Sequence, residues 1–150
     1  MKRILVVLAL MLGTQIVNAQ DFKKVSGSML IQQVDAAKTE YEKVIAKKPS
    51  LATTAEGYYW KAKIYSALLK DAAKNPTAYD QVKSAIDEYI KLEKDSGFPL
   101  AKENGTEPFF DVYIKSFKDG INGFNSKSWK DAAASFANSV IFSDFIFLFN

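Results

Sequence analysis

Histidine and cysteine, the side chains most often recruited for catalysis and metal binding, are both absent from the 150 residues of this chain. A Ser-His-Asp triad, a thiolate nucleophile, a disulfide framework and a zinc site of the usual His/Cys type are thereby excluded. Carboxylates remain. Asp87 and Glu88 are adjacent, so on a helix they point about 100° apart and do not act as one acid–base pair. Glu40 and Glu42 stand among lysines, with no apolar surroundings of the kind that raise a carboxyl pKa for catalysis. A paired-carboxylate glycosidase would have to draw its two groups from distant segments. No P-loop, dinucleotide-binding or nucleophile-elbow sequence occurs, and Gly120-Ile121-Asn122-Gly123 lies inside a helical pattern with no strand before it. Asn104-Gly105-Thr106 matches a glycosylation sequon but reads as a turn. The expectation is a protein that is not an enzyme and uses no metal and no cofactor.

The composition, 48% hydrophobic and 25% charged, is that of one ordinary soluble domain. The N-terminus stands apart from it. Lys2 and Arg3 precede the apolar run Ile4 to Leu12, and Val17 and Ala19 stand three and one before a cut ahead of Gln20. These are the three parts of a signal peptide spanning residues 1–19. Nine apolar residues rise only about 14 Å as a helix, short of the ~20 residues that cross a bilayer. The expected mature product is residues 20–150, a single helical domain without stable membrane insertion, either periplasmic or secreted.

Cleavage also changes the charge. The whole chain carries 20 basic and 17 acidic residues, a net +3, and Arg3 is its only arginine. Without Lys2 and Arg3 the balance is 18 against 17, close to neutral. Lysines alternate with acids, as in Lys38-Thr39-Glu40-Tyr41-Glu42-Lys43, which is a solvated helix face of mixed sign. Nucleic-acid binding, which leans on Arg and on a concentrated basic face, is not expected.

From Gln20 onward the apolar period is helical. Helices are expected around Phe22 to Ile31, over Val34 to Ile45 and stopped by Pro49, and over Tyr58 to Leu69 before the Asn75-Pro76 break. Further helices follow over Tyr79 to Leu92, over Phe109 to Phe124, and from Trp129 after a natural N-cap at Ser128. Residues 96–108 read as a loop, and no alternating strand is found. Six helices in three antiparallel pairs make the chain all-α.

The second helix of each pair repeats one pattern. Ala37 precedes Tyr41 by four residues, Ala85 precedes Tyr89, and Ala132 precedes Phe136, with 48 and 47 residues between successive alanines. A small residue admits the partner helix, and a ring one turn later fills the space beside it. This resembles the tetratricopeptide repeat (TPR), in which a small residue and an aromatic recur on the second helix before a closing proline. Pro49 supplies that proline once, Ala62 and Tyr65 resemble the first-helix element, Gly120 gives the third unit its small residue, and Trp129 occupies the aromatic position before the last helix. The resemblance covers nearly all of residues 22–142. The period exceeds the family's 34 residues, and Asp119 stands where the family has a leucine.

The resemblance implies a short TPR-like α-solenoid of about three pairs, with Tyr58, Ala62 and Tyr65 facing the partner helix. Glu56, Tyr59, Lys63 and Ser66 then fall on the concave face, where such solenoids take peptides. Tyr59 or Trp60 could stack on a sugar or a peptide side chain, or the three rings could simply cover inter-repeat surface. Two functions follow as expectations. One is a non-catalytic protein- or peptide-binding scaffold of the bacterial cell envelope. The other is a carbohydrate-binding accessory protein of an envelope uptake system. The C-terminal sequence, Val140-Ile141-Phe142 then Phe145-Ile146-Phe147-Leu148-Phe149, leaves almost no polar face. It reads as a helix folded into a groove, as a surface for self-association, or as an array lacking its C-terminal cap.

Overall fold

A computed structural model describes residues 21–148, so the expected signal peptide, residues 1–19, lies outside the described residues. Among the described residues the chain is helical throughout, with no strand. The α-helices are α1 (Lys23–Leu30), α2 (Val34–Lys47), α3 (Ala55–Leu68), α4 (Ala78–Glu93), α5 (Pro99–Asn104), α6 (Glu107–Asn125) and α7 (Trp129–Leu148). Short 3₁₀ turns follow α2 at Pro49–Thr53 and α3 at Leu69–Asp71.

Local chemistry sets the boundaries. Pro49 cannot continue α2 and opens the 3₁₀ turn instead. The Thr54 hydroxyl accepts from the Gly57 N–H at 3.0 Å and caps α3. Lys127 adopts a left-handed φ of 62°, and the Ser128 N–H donates to the Gly123 carbonyl at 2.8 Å, closing the C-terminus of α6. The Ala132 N–H then donates to the Ser128 carbonyl, the first helical bond of α7.

The segment 96–108 departs from the expectation of a loop, because α5 lies within it. Pro99 occupies the first helical turn, where its missing N–H costs nothing, so the residue that reads as a breaker starts a helix. Phe98, just before it, is held at a left-handed φ of 60° while its ring is buried in the core.

The longer helices pack chiefly with their sequence neighbours: α1 with α2, α3 with α4, and α6 with α7. Ala37, Ala85 and Ala132 are all buried, and each is followed one turn later by a ring that meets a ring of the preceding helix or, for Phe22, of its N-cap. Phe22 and Tyr41 stack at 5.9 Å between centroids, Tyr59 and Tyr89 meet at 5.6 Å, and Phe117 and Phe136 at 5.8 Å. A Cβ on Gly120 would come within 2.6 Å of the Phe136 ring. From Tyr89 the rings continue to Phe98 and Phe109, and from both of these to Phe145 of α7, at 5.6–6.1 Å.

One register expectation is extended here. Tyr59, expected on the concave face, meets the partner helix α4 through Tyr89. Tyr58 and Tyr65 are half-buried beside Tyr41 of the preceding pair, and Ala62 is fully buried. α3 touches α1, α2, α4, α5 and α6, so apolar residues occur around most of its circumference and the period does not single out one face. The apolar C-terminal run likewise resolves into an inner and an outer side. Phe142 is buried and Phe145 and Ile146 pack on the core, whereas Val140, Ile141 and Phe147 are exposed.

Candidate functional site

A cleft of ≈ 560 Å³ is bounded by α1, the start of α2, α3, α5 and α6. α3 contributes Trp60, Lys63, Ser66, Ala67 and Lys70 just beyond its end, a line of residues at helical spacing. α1 and the turn after it contribute Ser26, Met29, Leu30 and Gln32, and α2 contributes its first residue, Val34. Glu103 and Asn104 come from α5, and Glu107 and Asp111 from α6. One wall is therefore largely apolar and the other carries charges of both signs.

Hydrogen bonds fix the polar wall. The Lys63 ammonium donates to the Asn104 carbonyl, lies 3.5 Å from the Glu107 carboxylate and stands 5.9 Å from the centre of the Tyr59 ring. The Ser66 hydroxyl donates to Asp111. The Tyr59 hydroxyl donates to the Gly105 carbonyl at 2.9 Å, and the Ala101 N–H donates to the Tyr89 hydroxyl at 3.0 Å. α5 has too few residues to stand alone as a helix. It is held instead by Tyr89 near one end and by Tyr59 and Lys63 at the other. Gly105, at a φ of 105°, ends it, and a Cβ there would come within 2.2 Å of the Glu107 carboxylate. The Asn104 side chain donates to the Leu100 carbonyl, so the sequon residue is folded into its own helix.

The sequence-predicted residues divide. Trp60, Lys63 and Ser66 are brought together on the cleft. Glu56 joins them through Trp60, whose indole N–H donates to the Glu56 carboxylate at 3.4 Å. Burial pushes the Glu56 carboxyl above its ordinary pKa, opposed by that indole bond and assisted by the nearby Asp21 and Glu103 charges. Tyr59 is not on the cleft: it is 1% exposed and its ring belongs to the core. Trp60 is only 4% exposed. Neither ring offers the open face on which a sugar would stack, so the carbohydrate reading has no platform at these two residues.

The residues that sequence reasoning missed are those supplied by other elements. Asp111 lies 45 residues beyond its partner Ser66, and Asn104 lies 41 beyond Lys63. No local pattern links such positions. Leu30, 85% exposed at the lip, falls within the first expected helix, Phe22 to Ile31, and is not among the residues expected at a site.

Chemically, the cleft offers apolar surface beside Lys63 and Lys70 of the α3 line and carboxylates opposite, one of which, Asp111, accepts from the Ser66 hydroxyl. Among the described residues no group of three or more His, Cys, Asp or Glu side chains is placed to hold a metal. No helix among them is long and apolar enough to cross a membrane. No protein-family model matches this chain, and no curated protein sequence and no solved structure matches it.

Proposed function

We propose that the protein is an exported, non-catalytic scaffold of the bacterial cell envelope whose α1–α3–α5–α6 cleft holds a peptide segment of a partner protein. The observation that carries this reading is the cleft itself. It is ≈ 560 Å³, apolar along Met29, Leu30 and Val34, and charged along Lys70, Glu103 and Glu107. Such a wall suits a short segment with apolar side chains on one edge and charges on the other. The three helix pairs then form a short TPR-like stack, a reading supported by the ring couple repeated in each pair. Export rests on the signal-peptide pattern in residues 1–19.

Selection from a displayed random-peptide library against the purified protein supplies the ligand, and calorimetry supplies its affinity. Lys70 is exposed and Lys63 ties α3 to α5, so Lys70→Glu reports on binding while Lys63→Glu also reports on folding. The expected result is at least a tenfold loss of affinity, about 1.4 kcal/mol, for Lys70→Glu and for Leu30→Asp with helicity unchanged. Selected peptides that bind both variants as well as the parent protein would overturn the cleft as the site. Mass spectrometry of the protein recovered from a bacterial periplasm should show a chain beginning at Gln20, and a retained Met1 would remove the export reading.

A further inference from the structure

We infer that the outer face of the α6–α7 pair is a docking surface for a second copy of this chain, giving a closed two-fold dimer. Phe110, Phe117, Ile121 and Phe124 recur along α6 at spacings of seven, four and three residues, so they form one stripe. Trp129 and Val140 continue it on α7, because the Phe124 and Trp129 rings meet at 5.2 Å and the Phe117 and Phe136 rings at 5.8 Å across the seam. Phe110, Phe117, Phe124 and Trp129 each leave between 42% and 57% of their surface exposed.

Two observations say what covers this face. The first is continuity with the interfaces already built. In the first pair the Phe22–Tyr41 couple is flanked by Tyr58 and Tyr65 of the second pair. In the second, the Tyr59–Tyr89 couple is covered by Phe98 and Phe109 ahead of and within α6. The equivalent couple of the third pair, Phe117–Phe136, is the one left open, so its natural complement is another aromatic helix pair. The second observation is the kind of surface: the rings and aliphatic side chains form the middle of the face, and charges such as Lys118 and Lys130 stand beside them, an arrangement of apolar centre and polar rim that is self-complementary.

The area is adequate. At about 200 Å² per aromatic side chain, the four rings alone expose roughly 400 Å², already within the range of the largest patch on a typical monomer. Ile121 and Val140, 40% and 59% exposed, extend the patch, and the polar rim supplies the remainder of the roughly 800 Å² per partner that a standard interface needs. Because the same patch serves both subunits, the assembly closes at two and covers the α6 stripe on both. The inferred surface is the α6 stripe and the adjoining side of α7, apart from the exposed Ile141 and Phe147 of the C-terminal run.

Sedimentation equilibrium on the purified full chain tests this. A discrete dimer is expected from about 1 to 100 μM, and Val140→Lys combined with Ile121→Lys should raise the dissociation constant at least a hundredfold with the helical circular dichroism intact. The native chain has no cysteine, so single substitutions give clean cross-linking: Ile121→Cys should form a covalent dimer on oxidation and Glu42→Cys on α2 should not. A monomer throughout that range, which would leave the face to a different protein, overturns the inference. So does an open-ended ladder of oligomers, a dimer indifferent to the double lysine variant, or cross-linking at residue 42 in preference to 121.

Discussion

The Tyr59 hydroxyl donates to the Gly105 carbonyl at 2.9 Å, reaching from the middle of α3 to the end of α5. Tyr89 performs the matching task at the other end, accepting from the Ala101 N–H at 3.0 Å. Tyr59→Phe keeps the ring in the core and removes only the donor. It should lower stability by about 1 kcal/mol and raise amide exchange selectively in α5, read by urea unfolding and hydrogen exchange. Equal exchange across all helices would show that α5 is not held at this point.

Two glycines should respond in opposite senses. A Cβ on Gly57 would lie 1.9 Å from the Leu51 carbonyl oxygen, a backbone atom with no freedom to turn aside, whereas a Cβ on Gly27 meets nothing within 4 Å. Gly57→Ala should cost more than about 2 kcal/mol, because the 3₁₀ turn must shift or the Thr54 cap must break. Gly27→Ala should stabilise by about 0.5–1 kcal/mol through helix propensity. Thermal unfolding of the two variants beside the parent protein checks both signs.

A third packing test uses the Gly120–Phe136 contact, where an added Cβ would meet the ring at 2.6 Å. Gly120→Ala should cost about 1–2 kcal/mol, and the cost should shrink by about 1 kcal/mol in a Phe136→Leu background. Additivity of the two changes in a double-mutant cycle would remove the contact as the cause.

Alkaline stability follows from the buried phenols. Burial, assisted by the neighbouring Tyr65 and Tyr58 phenols, pushes Tyr41 up to about 12, and burial drives Tyr59 and Tyr89 upward as well. In the unfolded chain a phenol ionises near pH ~10. A raised pKa means that the folded state holds the proton more tightly, so the stabilisation is complete below about pH 10 and is lost as pH rises through about 12. Tyrosinate absorbance of these three residues should therefore lag and then appear together with loss of helix. Full ionisation of all the tyrosines in a chain still helical would contradict the burial.

How far the sequence revealed this structure depends on which residues are asked. Ala37, Ala85 and Ala132, with the rings four residues later, are legible as a repeat because each helix of that kind buries one stripe against its partner. Tyr58-Tyr59-Trp60 is not legible in the same way: with α3 packed on several sides, three consecutive rings all find cover, and only the structure decides that Tyr59 meets Tyr89. α5 escapes because Pro99 and Gly105 read as loop residues, while the bonds that make it a helix come from tyrosines on two other helices. Of the cleft, the α3 line of Trp60, Lys63 and Ser66 is visible in the spacing. The acidic wall is not, since Glu103, Glu107 and Asp111 face it only through tertiary packing.

The column of rings running from Tyr59 through Tyr89, Phe98 and Phe109 to Phe145 joins α3, α4, α6 and α7 and the residue that precedes α5. A stack whose units touched only at their backs could melt one unit at a time from its ends. Here the wall of the cleft contributed by α5 is bonded to Tyr59, Lys63 and Tyr89 of the second pair and is preceded by Phe98, whose ring meets Phe145 of the third. Under the proposed function, capture of a segment in the cleft would be thermodynamically linked to folding, and fraying at α7 would weaken a cleft that α7 does not line.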